Sequence, residues 1–267
     1  MWLPALYSEN EPVEEERIMA QLTSATVAIG VEVPLGNAAY TTYLDSDYGV
    51  GRTGADVDTW AARVGGQTAI KPADGGSTGT PPSFDANGMA AGRSAIVFDG
   101  VTEYLLLDAL GAVFSGEHMV WTVAVHCMID AATTGAIASA GRAANANTYI
   151  ELMTATAAAQ RTQRRDDVPT GPLTGTGYVL GLATEYTLIW TCAGTTVNFF
   201  SQGVIKGAEQ AQDLAQMTID RFTIGAFRRT GTGATAPFPG KIRRLGVMPT
   251  NISPANAAVL DGAWRGK

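Results

Sequence analysis

Alternation of apolar and polar residues predicts β-strands along most of the chain. From Trp121 to Ile129 every second residue is apolar, and Glu185 to Cys192 repeats this pattern. A period of two is typical of a strand that buries one face. The strand from Glu185 to Cys192 is predicted to be followed by turns at Gly194 and Gly203, so that the chain forms a meander of consecutive strands. We expect a core between two sheets that contains Trp121, Val123, Val125, Leu188, Trp190, Phe222 and Ile224.

Other segments are predicted from their turn residues. The apolar run Ala95–Phe98 meets Asp99-Gly100, a hairpin signal, and Tyr104–Leu107 is expected to return as its partner strand. The region from Gln160 to Gly177 is polar and is predicted to be a loop. Ile242 and Leu245 are three apart, so a β-bulge near Arg243-Arg244 is needed to bury both.

The two ends of the chain differ from the strand-rich middle. Ser253-Pro254 is a favoured helix start, and Ala257, Leu260 and Trp264 then form one apolar face of a short C-terminal helix. Residues 1–35 are broken by prolines and are acidic. We expect them to form an arm that docks on a partner through an apolar set: Trp2, Leu3, Leu6, Tyr7, Ile18 and Leu22. The alternative is an arm that packs on its own domain.

Several motifs in order resemble laminin-G-like, concanavalin A-type jelly rolls, as found in bacteriophage structural proteins. They are LDSDYGVGRTGADVDTWAARVGG from Leu44, AIVFDGVTEYL from Ala95, WTVAV from Trp121, SQGVIKG from Ser201, FTIGA from Phe222, FPGKIRRLGVM from Phe238 and SPANAAVL from Ser253. The resemblance covers Tyr40 to the C-terminus. It implies an all-β antiparallel sandwich over residues 36–267, preceded by the arm and closed by the helix. Trp60 is expected to fill the core.

Composition narrows the function classes. A net charge of −7 and a pI near 4.8 argue against nucleic acid as a partner. No apolar run approaches the roughly 20 residues of a membrane span. The N-terminus lacks a basic segment, so no signal peptide is expected and the chain is expected to fold in a reducing cytoplasm. Cys127 and Cys192 are then either buried thiols or a single disulfide between the sheets.

Residues for catalysis are sparse. The chain has 2 histidines, His118 and His126, and lacks the motifs of hydrolase triads and zinc proteases. Jelly-roll glycosidases need paired carboxylates at strand spacing, whereas Glu151 is the single acid in its neighbourhood. We therefore predict a protein that is not an enzyme.

Binding residues can be proposed on loops and strand ends. Candidates for glycan contact are Tyr48, Tyr149, Tyr178 and Phe227. The arginines at 161, 164, 165, 228 and 229 either meet an acidic neighbouring subunit or lie in solvated loops. Calcium is the one cofactor considered, with Asp45, Asp47 and Asp99 as ligands. The alternative for these acids is that they bond their own turn backbones.

The resemblance implies a non-enzymatic bacteriophage virion protein: a capsid decoration, head-fibre or tail component. The expected location is the virion, after folding in the host cytoplasm. Expected partners are capsid or tail subunits and further copies of the chain. The second hypothesis is a lectin-like module that binds host-surface glycans, and the third is a glycoside hydrolase. The sequence leaves the position on the particle, the oligomeric state and any glycan undefined.

Overall fold

The structure is a computed structural model that describes residues 33–155, 159–167, 173–208, 216–231 and 233–266. Side chains at 155, 173 and 176–178 also lie outside the description. The six arm residues predicted to dock on a partner (Trp2, Leu3, Leu6, Tyr7, Ile18 and Leu22) fall outside the described residues, so their role stays a prediction. No helix in the described part is long and apolar enough to cross a membrane.

Seventeen strands and one α-helix make up the described chain, joined by turns and short 3-10 segments. The strands are β1 Thr42–Asp45, β2 Val50–Thr53, β3 Asp56–Ala61, β4 Thr68–Ile70, β5 Ser83–Met89, β6 Arg93–Asp99, β7 Leu105–Leu106, β8 Val120–Ile129, β9 Gly135–Gly141, β10 Tyr149–Ala155, β11 Ala159–Arg165, β12 Leu173–Val179, β13 Glu185–Ala193, β14 Thr196–Ser201, β15 Val204–Ala208, β16 Arg221–Ile224 and β17 Pro239–Met248. The helix, α1, spans Pro254–Arg265.

Antiparallel pairing arranges the strands in two layers. One layer, the helix-side sheet, runs β15-β14-β13-β8-β17, with β1 and β6 on the far side of β17 and β5 beside β6. The other, the open sheet, runs β12-β11-β10-β9-β16-β7-β4-β3-β2. The pairing of Asp56 with Ser83 joins the layers at one edge. The predicted antiparallel jelly-roll sandwich is thus confirmed.

The core between the sheets is the predicted one. All seven residues expected there are buried: Trp121, Val123, Val125, Leu188, Trp190, Phe222 and Ile224. Trp60 is buried among them, and its indole Nε1 donates to the carbonyl of Asp45 at 3.0 Å. Because the alternation places every second residue inward, the intervening residues of β8 and β13 face outward from this core.

Helix α1 covers that outward face of the helix-side sheet. Ser253 caps it by accepting a hydrogen bond from the Asn256 amide at 3.2 Å. Two of its buried residues, Leu260 and Trp264, pack with Ala124 of β8 and Ile189 of β13 in a second apolar cluster. Both faces of the central strands are therefore buried, whereas the alternation of apolar and polar residues predicted that only one face would be.

The predicted bulge in β17 is confirmed, and it places two arginines beside two aspartates. The register with β8 shifts between Ile242 and Arg244, so Ile242 and Leu245 both reach the core. The Arg244 Nε then lies 3.1 Å from Asp45 Oδ2, and Arg243 Nη2 lies 2.9 Å from Asp47 Oδ2. Arg244 and Asp45 are both buried, so their charges compensate each other inside the protein.

Two predicted connections are wrong. Asp99-Gly100 does not close a hairpin, because β6 pairs with β5 and β17 whereas β7 pairs with β4 and β16. The Asp99 carboxylate accepts the amides of Val101, Thr102 and Glu103, and this wider turn carries the chain from one sheet to the other. The predicted loop from Gln160 to Gly177 contains β11 and β12.

The two cysteines do not form a disulfide. Both are buried free thiols in the helix-side sheet, where Cys127 lies opposite Tyr186 and Cys192 lies opposite Trp121. Those pairs occupy different ends of the β8–β13 ladder. The alternative of a disulfide between the sheets is therefore wrong.

Candidate functional site

The outer face of the open sheet brings together polar residues from neighbouring strands. Tyr149 and Glu151 of β10 alternate with Ile150 and Leu152, which belong to the core, so they point away from it. In the register of β10 with β11, Tyr149 lies opposite Arg165, Glu151 opposite Gln163, and Met153 opposite Arg161. Arg161 and Gln163 consequently share the outer face with Tyr149 and Glu151.

Tyr149 and Phe227 form an aromatic pair on this face. Their ring centroids are 5.0 Å apart, and the Tyr149 hydroxyl donates to Gln163 Oε1 at 3.1 Å. Phe227 lies in the segment after β16, where the backbone amides of Phe227 and Thr235 each donate a hydrogen bond to the carbonyl of the other residue. The Cζ atom of Arg229 lies 5.2 Å from the Tyr149 centroid and 4.9 Å from that of Phe227. The arginine therefore covers both rings.

Glu151 is a carboxyl group held in an unusual environment. Its side chain is only 3% exposed. Burial raises the pKa of Glu151 to about 7, and the positive charges of Arg161 and Arg229 oppose that rise. Burial also raises the pKa of the Tyr149 hydroxyl, which keeps this group protonated. Near neutral pH, Glu151 can therefore exchange a proton beside two arginines.

We call these five residues the aromatic–arginine patch: Tyr149, Glu151, Arg161, Phe227 and Arg229. Tyr149 and Phe227 are 4% and 7% exposed, so their rings do not present an open stacking surface. The half-buried arginines are the groups that solvent reaches. The Nε of Arg161 is itself buried and has no hydrogen-bond partner among the described residues, so the exposed part of this guanidinium group is the part that a ligand can reach. The patch can consequently bind an anionic group rather than stack on the face of a neutral sugar.

Of the other two glycan candidates, Tyr48 does not join the patch. Tyr48 is exposed on the turn between β1 and β2, where Arg63 Cζ lies 5.4 Å from its ring centroid. Tyr178 lies in β12, and its side chain is outside the description. The structure therefore unites two of the four predicted aromatics, which are distant in sequence.

The arginines proposed as loop residues have specific structural positions. Arg161, Arg164 and Arg165 lie on β11, so the expectation of a solvated loop is wrong for them. Arg164 is buried and donates to the Thr195 carbonyl at 3.0 Å. Arg228 is buried in an ion pair with Asp108 and donates to Ser77 Oγ at 2.9 Å. Arg164 and Arg228 thus support the fold, while Arg161 and Arg229 remain in the patch.

The calcium candidates are used in other ways. Asp45 and Asp47 pair with Arg244 and Arg243, whose positive charges oppose cation binding. Asp99 accepts backbone amides of its own turn, as the alternative for turn acids predicted. Within the described ranges, no three potential ligands of the His, Cys, Asp or Glu type come together.

The outer face of the open sheet also carries two small cavities. One, of about 230 Å³, is lined by residues that include Ile70, Leu106 and Asp108. The other, of about 250 Å³, is lined by residues that include Tyr104 and Ala234. Arg228, which contacts Asp108, directly follows Phe227 of the patch. This face is thus indented as well as cationic, whereas α1 fills the corresponding face of the other sheet.

Three contributors to the patch were not identified from the sequence. Sequence patterns group Arg161 and Arg229 with other arginines and indicate no common surface for them, and they suggest for Glu151 only the role of a catalytic acid. The spacing of Arg161, Gln163 and Arg165 at every second position was a usable signal, since it places three polar groups on one side of a strand. The contact between Arg229 and Tyr149 had no local signal, because it depends on how β10 and the segment after β16 meet.

Comparison with known proteins identifies the fold but no family. No protein-family model and no curated protein matches the chain. Among solved structures, the carbohydrate-binding module CBM40 of Ruminococcus gnavus IT-sialidase bound to α2,3-sialyllactose matches with a TM-score of 0.54 at 17% identity. That match covers 63% of this chain and 96% of the module.

Two whole sialidases match over a smaller part of their length. NanB sialidase from Streptococcus pneumoniae, as the K499G mutant, gives a TM-score of 0.52 at 16% identity over 61% of this chain and 27% of that one. Trypanosoma rangeli sialidase in complex with sialic acid gives a TM-score of 0.55 at 14% identity. That match covers 94% of this chain and 39% of the sialidase. At these identities the likeness supports a jelly-roll β-sandwich and leaves function to the residues of this chain.

Proposed function

We propose that this protein is a non-enzymatic binding module that recognises acidic glycans through the aromatic–arginine patch. The observation that carries the proposal is the position of Arg229 over Tyr149 and Phe227, beside Arg161 and the buried Glu151. The guanidinium groups of Arg161, on β11, and of Arg229, on the segment after β16, suit a sugar carboxylate, which accepts paired hydrogen bonds from arginine. The CBM40 neighbour, whose structure contains α2,3-sialyllactose, supports this class of ligand for the fold.

The same residue types require a distinction between binding and catalysis. Sialidases use a tyrosine as nucleophile, and Tyr149 lies beside Glu151. A nucleophilic tyrosine is activated by a lowered pKa or by a general base that accepts its proton, whereas burial raises the pKa of Tyr149 and its hydroxyl donates to Gln163 Oε1 instead of to Glu151. Among the residues that the structure describes, the charges that act on Glu151 are those of Arg161 and Arg229, and no second carboxyl group is among them. These features favour a binding site that leaves the glycan intact.

Replacing Arg229 with glutamine should weaken binding of α2,3-sialyllactose at least about 10-fold, which corresponds to about 1.4 kcal/mol. The variant loses a charged donor but keeps a polar side chain over the rings. Isothermal titration calorimetry with α2,3-sialyllactose and with lactose measures the effect, and wild-type protein should prefer the acidic sugar. Chromatography of the same mixtures should show no released sialic acid.

The matched control for this variant is Arg52→Gln. Arg52 also covers an aromatic ring, with its Cζ 4.4 Å from the Phe84 centroid, but it lies on β2 outside the patch. This variant should bind the acidic sugar like the wild type. Equal affinity for lactose and sialyllactose, or equal losses in both variants, would contradict the proposal. Hydrolysis of the glycan by the wild type that is lost in the Glu151→Gln variant would show that the patch is a catalytic site instead of a binding site.

Binding should also depend on pH through Glu151. The pKa of about 7, against an ordinary 4.5, means that Glu151 loses its proton as the pH rises through neutrality. The added negative charge opposes an anionic ligand, which stays ionised because ordinary carboxyl groups titrate near pH 4. Affinity should therefore fall several-fold between pH 6 and pH 8. Glu151→Gln should remove this dependence and bind at pH 8 as the wild type does at pH 6.

Thermal unfolding provides an independent check on Glu151. Because its pKa is raised in the folded chain, ionisation of Glu151 destabilises the fold progressively as the pH rises from about 4.5 to about 7. Glu151→Gln should consequently raise the melting temperature at pH 8 and leave it nearly unchanged at pH 4.5. A variant that is less stable at both pH values would show that the carboxyl group is a structural acceptor instead.

We also propose a second function, that of a bacteriophage virion protein, which rests on the resemblance in sequence and is supported by one structural observation. Val33 and Leu35, where the arm enters the domain, pack against the cluster that contains Leu260 and Trp264 of α1. The arm therefore joins the domain on the helix side, whereas the patch lies on the outer face of the open sheet. This arrangement suits a protein that is anchored on one side and displays the other.

Deleting Met1 to Gly30 tests the virion role. The truncated chain should remain folded and soluble but should no longer be incorporated into particles. Each contact would lose the free energy of burying the apolar surface of the arm, which is about 25 cal/mol per Å2. Mass spectrometry of purified particles counts the copies, and cryo-electron microscopy locates them. Normal incorporation of the truncated chain would contradict the anchoring function.

A further inference from the structure

We propose that the glycan held by the aromatic–arginine patch places a neutral sugar unit in a second site, a cavity of about 230 Å³ on the same face of the open sheet. We call it the Asp108 cavity, and its lining includes Thr68, Ile70, Leu106, Asp108 and Ala109. The inference rests on the proposed function and extends it. The ligand is then an oligosaccharide with an acidic sugar and, further along its chain, a neutral one.

Strand pairing fixes the position of the cavity relative to the patch. Glu151 of β10 lies opposite Ser139 of β9, which in turn lies opposite Thr223 of β16. Thr223 lies opposite Leu106 of β7. Because opposed residues of a sheet share a face and neighbouring strands lie about 4.8 Å apart, Leu106 is roughly 14 Å from Glu151.

The segment after β16 connects the two sites. The residue before Arg229 of the patch is Arg228, which forms an ion pair with Asp108 in the cavity wall. The same segment covers the strands between the sites, since Ser139 Oγ donates to the Ala226 carbonyl at 2.8 Å. A ligand that occupies both sites must pass over this segment, so the two bound sugars are not adjacent in the oligosaccharide.

Asp108 supplies the cavity with a hydrogen-bond acceptor. Its side chain is 44% exposed, and its Oδ1 accepts from Arg228 Nη2 and from the Phe222 amide, the latter at 3.1 Å. Both bonds go to one oxygen, so Oδ2 can accept a hydroxyl group of a ligand. Arg228 already compensates the carboxylate charge, which disfavours a cation, and the carboxylate itself repels an anion. The wall therefore suits a neutral, hydroxylated ligand.

Ile70 and Leu106 supply an apolar wall. Leu105 belongs to the core between the sheets, so Leu106 beside it points outward, where Ile70 packs against its cluster. Sugar rings combine hydroxyl groups with apolar C–H faces, and the two walls match these two features. The volume is below the roughly 300–1,000 Å³ of pockets for drug-sized ligands, so the cavity fits a single sugar unit.

Calorimetric titration of the full chain with two acidic probes tests the inference. The short probe is the methyl α-glycoside of sialic acid, a single sugar that cannot reach from the patch to the cavity. The long probe is the linear α2,3-sialyl-lacto-N-tetraose, which adds four neutral sugars. The wild type should bind the long probe at least about 10-fold more tightly, because contacts in the cavity are added to those in the patch.

Ala109→Trp closes the cavity, since Ala109 is an exposed residue of its lining. This variant should lose the gain for the long probe and bind the short probe like the wild type. The matched control is Ala112→Trp, which adds the same side chain at an exposed position of the same 3-10 segment, Asp108–Phe114, but outside the cavity lining. It should bind both probes like the wild type.

The outcomes separate this inference from the proposed function. Equal affinity of the wild type for the two probes, or a gain that persists in Ala109→Trp, would overturn the inference alone if the short probe binds and Arg229→Gln weakens that binding. Failure of both probes to bind would overturn the proposed function and the inference together. Saturation-transfer nuclear magnetic resonance should show the long probe in contact through its sialic acid and through a neutral sugar that is not adjacent to it.

Discussion

Replacing Trp190 with alanine should lower the free energy of unfolding by about 3–5 kcal/mol, the largest effect of a single core substitution expected here. Trp190 is fully buried at the centre of β13, opposite Val123 of β8 and Phe199 of β14. Its removal leaves a cavity, and this cavity cannot close because β13 is paired with β8 on one side and with β14 on the other. The indole Nε1 also donates to the Arg161 carbonyl at 3.2 Å, so the core supports the strand that carries the patch.

Urea denaturation followed by circular dichroism measures this loss. The control is Val120→Ala, since Val120 begins the neighbouring strand β8 but is exposed. Its substitution should change the free energy of unfolding by no more than about 0.5 kcal/mol. A loss below about 1 kcal/mol for Trp190→Ala would contradict the packing of the two sheets around this side chain.

Replacing Asp45 with asparagine should destabilise the protein by about 3–5 kcal/mol, because it leaves a buried arginine without its counter-charge. Asp45 Oδ2 lies 3.1 Å from Arg244 Nε, and the two side chains are 1% and 2% exposed. Arg63 is the other cation near this carboxylate, with its Nη1 at 3.9 Å. Asparagine keeps the shape of the side chain and removes the charge, so the loss measures electrostatics rather than packing.

The control for Asp45 is Asp58→Asn. Asp58 also pairs with a cation, at 2.7 Å from Lys71 Nζ, but this pair lies at the surface. Surface ion pairs contribute little because water solvates both partners, so this variant should unfold almost like the wild type. Equal effects of the two substitutions in denaturant titrations would contradict the distinction between a buried and an exposed pair.

The fold was predictable where one face of a strand is apolar and the other is not. The core residues of β8 and β13, the bulge in β17 and the C-terminal helix follow from such patterns. Strand β11 was missed because both of its faces are polar: Arg161 and Gln163 point outward, while Arg164 points inward to the Thr195 carbonyl. Alternation in hydrophobicity carries no signal when a strand buries an arginine.

The site was predictable only in part for a related reason. Tyr149 and Phe227 could be chosen as candidates from residue type, but their contact at 5.0 Å depends on the order of strands in the open sheet. The misread turn at Asp99 illustrates the same limit, since local residues indicate a turn but not which sheet receives the next strand. The role of Glu151 depends on its burial, which is a property of the folded chain.

Nuclear magnetic resonance titration of isotopically labelled protein tests the central claim most directly. Addition of α2,3-sialyllactose should shift amide signals around Tyr149, Glu151, Arg161 and Arg229, while lactose at the same concentration should leave them nearly unchanged. The shifts should saturate, as expected for a single site. Shifts that map to α1 or to the turn at Tyr48, or a response that is the same for both sugars, would contradict the proposal that this patch recognises acidic glycans.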